Sequence, residues 1–399
     1  MNYTFVATTT RGAEAVLAAE LTAIGARHVY EDRGAVSFSG PLSIGYRVCL
    51  WSRIASRVLL QLSRFPVRSA EDLYEGVRDI RWLDHLGPRE TFVIDFVGTS
   101  EVIRDSRFGA MKSKDGLVDH IRRHAGERPS VDIRQPDLRI NIHLREGWAT
   151  VSLDLSGAPL HERSEDRRTG LAPLKETLAA ALLWIAEWPR MAEEGAPLVD
   201  PVCGSGTFAL EAAGIALNIA PGLTRERWGF SAWRGHNHLG WLQMMEEARD
   251  ARKPVESAPP ILACDADSGV LRAAGANVMS AGLGEVIRLT RKPLEELAPP
   301  RGVAEDTPGL LVSNPPYGER LGSVADAEAL YARLGDMLKR RFPGWTGWIL
   351  AGSPSLAKRV GLKPAVRHVI HNGPIECRWL KYVISPIKVT GDGPGWRDR

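Results

Sequence analysis

The residues whose types and spacing could do chemistry are Asn314-Pro315-Pro316-Tyr317, directly after the apolar run Leu310-Leu311-Val312-Ser313. An amino group on a nucleic-acid base is a poor nucleophile, because its lone pair is conjugated with the ring. Two acceptors, the Asn314 side-chain oxygen and the Pro315 carbonyl, could hold its two hydrogens and steer the lone pair toward an electrophile without a strong base. Tyr317 offers a ring on which the base stacks. Two prolines fix their own φ and give no N–H to a ladder, so the turn is stiff and the strand must stop. The plain alternative is a proline-rich loop capping a strand. The position at the carboxyl end of a buried strand, where open α/β sheets bind ligands, favours the chemical reading.

Two further signals precede it. Leu198-Val199-Asp200-Pro201-Val202-Cys203-Gly204-Ser205-Gly206-Thr207 reads as a strand, a Gly-rich turn and the start of a helix. Its glycines let the backbone approach a ligand, and the helix N-terminus favours a negative group. It lacks the Lys-Ser/Thr of a phosphate-binding loop and the GxGxxG of a dinucleotide fold. Alone, it is as readily an ordinary βα turn. The next strand ends in Ala263-Cys264-Asp265-Ala266-Asp267. Asp265 is placed to accept from both hydroxyls of a ribose. Asp267 reads better as the N-cap of the following helix. The ordered trio is far more specific than any one member.

Around these motifs, apolar strands are expected near 197–201, 261–264, 286–289, 309–313, 345–351 and 379–384, alternating with helices. That is the βαβ pattern of an α/β protein with a Rossmann-like, doubly wound sheet. The last strands form a hairpin across Asn372-Gly373-Pro374. Three domains are expected: 1–65, a β-α-β module; 66–155, a second α+β module; and 156–390, the doubly wound domain, opened by a charged connector over 156–176. In the second module Ser69 should cap a helix and Lys114–Ala125 should be helical, ended by Gly126. The insert 221–253 carries Trp228, Phe230, Trp233 and Trp241, which could stack on bases but read better as a packed cover over the sheet. His120 and His124, one helical turn apart, read as a solvent face rather than a ligand pair.

The 399 residues are 44% hydrophobic and 25% charged, with a net charge of +3, ordinary globular values that exclude a polycation. Any RNA contact must come from local patches, of which Arg53, Arg57, Arg64 and Arg68, and Lys339-Arg340-Arg341, are candidates. No run of eighteen apolar residues exists and the N-terminus has no signal-peptide pattern, so a cytoplasmic protein is expected, with no membrane partner. Four scattered cysteines without a CxxC pair argue for a reducing compartment and against zinc; no metal is expected.

The motif set resembles class I S-adenosylmethionine-dependent methyltransferases acting on exocyclic amino groups. Asp-Pro-x-Cys-Gly-Ser-Gly-Thr-Phe at 200–208, Ala-Pro-Leu-Lys-Glu at 172–176, Ser-Asn-Pro-Pro-Tyr-Gly-Glu-Arg at 313–320 and Asn-Gly-x-Ile-Glu-Cys at 372–377 resemble, more narrowly, the THUMP-containing RNA guanine 2-amino methyltransferases of the bacterial large-subunit (23S) rRNA type. Residues 1–65 then look like their ferredoxin-like domain, and 66–155, with Arg-Pro-Ser-Val-Asp-Ile and Gln-Pro-Asp-Leu-Arg, like the RNA-binding THUMP domain. The resemblance implies S-adenosylmethionine as cofactor. Asp200, Gly204, Ser205 and Gly206 would line its methionine end and Asp265 its ribose. Asn314, which also borders the cofactor, would with Pro315 and Tyr317 hold the base. Relatives carry an acid after the third strand that binds the adenine amino group; Arg291-Lys292-Pro293-Leu294-Glu295-Glu296 has none in that place, so either Glu295 or a backbone group substitutes, or cofactor affinity is weaker. The connector reads Ser164-Glu165-Asp166-Arg167 where relatives often carry Gly-Tyr-Arg. The partner is rRNA, with tRNA as the alternative substrate, and a monomer is expected. More distant alternatives are a DNA adenine methyltransferase, which would not need the N-terminal half, and a non-catalytic RNA-binding assembly factor. The chain has no room for the second methyltransferase domain fused to some relatives. A fragment of residues 156–399 is expected to keep cofactor binding and lose RNA affinity.

Overall fold

The computed structural model describes residues 2–163, 174–304, 307–316 and 324–386. They fall into two compact units, one of 2–163, 176–181 and 218–252, the other of 174–175, 182–217, 253–304, 307–316 and 324–386.

The first unit is built on β1 (Tyr3–Thr8), β2 (Arg27–Asp32), β3 (Ala35–Gly40), β4 (Arg57–Pro66), β5 (Thr91–Val97), β6 (Ser130–Val131), β7 (Leu138–Arg145) and β8 (Trp148–Asp154). They form one sheet in the order β2-β3-β1-β4-β8-β7-β5-β6. The two sequence modules therefore share a ladder: β4 pairs antiparallel with β8 from Leu59↔Asp154 to Pro66↔Trp148, with a register shift between Gln61 and Ser63. Alternation drives this half. Along β7, Leu138, Ile140, Ile142 and Leu144 are buried while the residues between them reach toward solvent. Ser69 caps the helix Ala70–Arg78 by accepting from Asp72 N (3.1 Å), as its spacing predicts. The helix ending at Ala125 begins at Ser106, two turns before Lys114, because Asp105 caps it by accepting from Arg107 N and Phe108 N. His120 and His124 each hold a backbone carbonyl through Nδ1, of Arg78 and His120 respectively, both at the length of a normal hydrogen bond.

The tryptophan-rich insert is packed, as expected, but its partners belong to the first unit rather than to the doubly wound sheet. Trp228, Phe230, Trp233 and Trp241 are buried. The Tyr46 hydroxyl lies 2.8 Å from His236 Nδ1 and accepts from Asn237 N, and Trp233 donates to His85 Nδ1 (3.0 Å). Arg225 lies over Trp228 and donates to the carbonyls of Ser156, Ala158, Pro159 and Glu162. Gly229 is required where it stands: a Cβ there would sit 2.0 Å from the Asp154 carbonyl oxygen. Two of the arginines read as phosphate candidates are also consumed here. Arg53 donates to the Ile219 carbonyl and is buried, and Arg57 pairs with buried Asp154.

The second unit contains β9 (Leu198–Asp200), β10 (Ile261–Asp265), β11 (Ile287–Arg291), β12 (Leu310–Ser313), β13 (Thr346–Ala351), β14 (Val366–Asn372) and β15 (Ile375–Val383). Among the described residues the order is β11-β10-β9-β12-β13-β15-β14. The strands β11 to β13 in this order run parallel, and β15 is antiparallel to both β13 and β14. Strands buried on both faces read as unbroken apolar runs, which is why Leu310–Val312 and Trp348–Ala351 are legible without alternation.

Candidate active site

Strand order reverses on either side of β9, with β10 on one flank and β12 on the other. That switch point opens a crevice at the carboxyl ends of the strands. Asp200 ends β9, Asp265 ends β10, and Asn314 follows the last residue of β12. The fold therefore brings the three sequence signals to the ends of three adjacent parallel strands. Ala263 is the register partner of Asp200, so Asp265, two residues on, lies on the same face of the sheet as Asp200.

The turn after β9 is held from several sides. Cys203 N donates to the Cys264 carbonyl (2.8 Å), Gly206 N to the Cys203 carbonyl (2.9 Å), and Gly204 N to Asp265 Oδ2 (3.1 Å). Gly204 and Gly206 take φ of +56° and +84°, which glycine adopts without strain. A Cβ at Gly204 would meet nothing within 4 Å, so open space adjoins the backbone there. Immediately afterwards the helix Thr207–Ala216 begins, its N-terminus at the turn. One residue that the motifs did not single out also acts here: buried Asn277, on the helix Ser268–Ser280, donates its Nδ2 to the Ser205 carbonyl (3.0 Å). Its only sequence signal is an amide within a helix that is otherwise mostly small and apolar, Arg272 apart.

Asp265 Oδ1 accepts from Asp267 N (3.0 Å), which leaves the carboxylate oriented by two backbone amides. Asp267 is the N-cap expected of it, accepting from Gly269 N (2.6 Å) and Val270 N (3.1 Å); those bonds hold its pKa below the usual range. Asp200 is different. It is 1% exposed and accepts one hydrogen bond among the described residues, from Val202 N at 3.3 Å. Burial pushes its carboxyl well above the usual range, and the charge of Asp265 pushes the same way. Burial raises the thiols of Cys203 and Cys264 as well, so neither is a thiolate nucleophile.

Asn314 Oδ1 is buried and has no hydrogen-bond partner among the described residues, and the Ser313 hydroxyl beside it is in the same condition. Pro315 is buried. Tyr317 lies outside the described residues, as do 164–173 of the connector. Both carboxylate oxygens of Glu295 are taken by Arg333, at 2.6 and 3.0 Å, which pulls its pKa down to about 2. Glu295 is thus tied to the helix Val324–Arg341 and is not free to replace the missing acid after β11. Lys339, Arg340 and Arg341 sit in the last turn of that helix, where cations complement its dipole. Among the described residues no group of three or more His, Cys, Asp or Glu could hold a metal ion, and no helix is long and apolar enough to cross a membrane.

Comparison with known proteins returns three family models. Residues 4–59 match the RlmL ferredoxin-like domain, 67–154 the THUMP domain, and 163–381 the RMKL-like methyltransferase domain. A curated relative from Cellvibrio japonicus, "Ribosomal RNA large subunit methyltransferase K/L", is 45% identical over 388 residues, covering 96% of this chain and 52% of that protein. One of the same name from Syntrophotalea carbinolica is 43% identical over 98% of this chain and 55% of its own length. The chain thus spans about half the length of these curated relatives. Among solved structures, SMU.472 complexed with SAH aligns over 97% of this chain and 99% of its own with a TM-score of 0.85 and 27% identity. TrmN from Thermus thermophilus aligns over 96% of this chain and 99% of its own with a TM-score of 0.66 at 23% identity, a likeness of fold.

Proposed function

The chain belongs to the RMKL-like methyltransferase family, and from that premise we propose that it transfers a methyl group from S-adenosylmethionine to the 2-amino group of a guanine in 23S rRNA. The observation that carries this reading is the buried Asn314 Oδ1 at the switch point, which has no hydrogen-bond partner among the described residues, beside a turn with open space at Gly204. An acceptor left without a donor costs about 1–3 kcal/mol. Folding has no use for it there, and an incoming amino group does.

The residues present fit the cofactor. Asp200 offers a buried carboxyl to the ammonium of its methionine end, and Gly204, Ser205 and Gly206 let the main chain come close. Asp265, oriented by two amides, is set to accept from the ribose hydroxyls. When bound, the cofactor supplies an electrophilic methyl on a sulfonium. The protein's own part is to hold the guanine: Asn314 Oδ1 and the Pro315 carbonyl take the two amino hydrogens, and Tyr317 stacks on the base. The bond to Asn314 strengthens as the nitrogen becomes positive, so it favours the transition state over the bound substrate. The guanine must be extruded or already unpaired to reach the turn.

In this reading residues 1–65 and 66–155 serve as the RNA-holding modules, reading shape and phosphate, and 156–390 as the catalytic domain. The site is cytoplasmic, where rRNA is made. Nucleoside mass spectrometry of 23S rRNA from a deletion strain tests the proposal. N2-methylguanosine should fall and be restored by the wild-type gene but not by Asn314→Ala. An unchanged level in rRNA with a loss in tRNA would transfer the same chemistry to the other substrate.

A further inference from the structure

Asp200 is an acid in an unusual position. It closes β9, an interior strand of its sheet, is 1% exposed, and has a single hydrogen bond of 3.3 Å from Val202 N among the described residues. Among the described residues the elements packed most closely against β9 are β10, β12 and the helix Thr207–Ala216. Their titratable side chains are Cys264 and Asp265 on β10 and Glu211 on the helix, and Cys203 lies in the turn. None of these is a cation. Among the described residues a carboxylate in that setting would have one weak donor, no counter-charge and a neighbouring Asp265, each of which disfavours ionisation. The direction of its pKa agrees with this geometry. The ligand proposed for the site brings a primary ammonium.

We infer that Asp200 carries a proton in the empty protein and releases it when S-adenosylmethionine binds, so that cofactor binding ejects one proton. The step balances simply: the carboxyl O–H bond breaks, the proton leaves to solvent, and the carboxylate formed is paired with the ammonium of the ligand. The inference rests on the cofactor reading above and adds to it a dependence on pH. While Asp200 remains protonated in the free protein, apparent affinity should weaken about tenfold for each unit by which pH is lowered. The sign for folding is opposite. A carboxyl raised in the folded state stabilises the empty protein fully below its unfolded pKa, and that contribution is lost as pH rises toward the folded value.

Isothermal titration of the full chain with S-adenosylmethionine, in two buffers of different ionisation enthalpy between pH 5.5 and 7.5, tests it. Below about pH 7 the ligand's own amino group is almost wholly charged, and at the upper limit it is still mostly so. The expected result is release of about one proton and a dissociation constant that rises as pH falls. Asp200→Asn should bind more weakly at pH 7.5, with no proton release and a flat pH profile. Its empty form should also resist thermal unfolding better than wild type by a margin that grows with pH. Tight binding with equal heats in both buffers would overturn the proton release while leaving the cofactor reading intact; no binding at any pH would overturn both. Should Asp200→Asn not fold, equal heats in the two buffers on the wild type still overturn the proposal, and Asp200→Ser tests the assignment. Proton release that persists in Asp200→Asn would assign it to another group and refute the role of Asp200.

Discussion

Replacing Asn314 by alanine should separate stability from turnover. Among the described residues the Asn314 oxygen is a buried acceptor without a donor, a condition that costs about 1–3 kcal/mol. Alanine removes the acceptor, so urea unfolding should show a folding free energy unchanged or higher by up to about 1 kcal/mol, an unusual outcome for a core-edge truncation. Turnover should move the other way. A hydrogen bond to a nitrogen acquiring positive charge is worth up to about 3 kcal/mol, and a barrier raised by that amount slows the reaction roughly 150-fold. The assay is single-turnover methyl transfer from labelled cofactor to rRNA lacking the modification, with cofactor affinity measured alongside. That affinity should stay within about threefold, under 1 kcal/mol. Asn314→Asp keeps the acceptor but adds a charge, so partial activity is expected. A variant that turns over like wild type and unfolds more easily would make Asn314 a strand cap and refute the reasoning.

Asp265→Ala should weaken cofactor binding by about 1–3 kcal/mol by calorimetry, since it removes the acceptor and also frees Gly204 N and Asp267 N; an unchanged constant would move the ribose contact elsewhere. Glu295→Gln should leave cofactor affinity within about twofold, because both its oxygens serve Arg333; a tenfold loss would restore it as the missing acid. A fragment of residues 156–399, expected from its sequence to keep cofactor binding, should instead aggregate, because it keeps Trp228, Phe230, Trp233 and Trp241 but loses Tyr46 and His85, against which the insert packs. A monomeric fragment with native cofactor affinity, judged by gel filtration and calorimetry, would show that the insert does not need them. Gly229→Ala should lower the melting temperature by several degrees, because its Cβ would collide with the Asp154 carbonyl; a wild-type melting curve would exclude that close approach.

The parallel half was legible because its strands are apolar throughout and its turns carry residues with one physical purpose each. Gly204, Asp265 and Asn314 stand where their motifs put them, each at a strand's carboxyl end. The strand β2 was not legible: Arg27–Asp32 is an edge strand whose residues mostly face solvent, so no alternation marks it. With two residues, β6 is too short to show a period. The insert announced burial but not its partner, since an apolar surface carries no address and Tyr46 lies about 190 residues away in sequence. Asn277 was hidden for a related reason. A side chain that holds a carbonyl 72 residues distant leaves no local signature.

The β4–β8 ladder bears on how such a chain can be recombined. The ferredoxin-like match stops at residue 59 and the THUMP match starts at 67, yet Arg57–Pro66 is one strand bonded to β8 along its length. A crossover placed in that gap would graft half a strand onto a foreign partner and lose the offset at Gln61 and Ser63. The first 155 residues therefore exchange between homologues as one cassette, and the seam that permits exchange lies beyond Asp154. Even there the cassette is incomplete without 176–181 and 218–252, so a working chimera needs these three segments inherited together from the same parent.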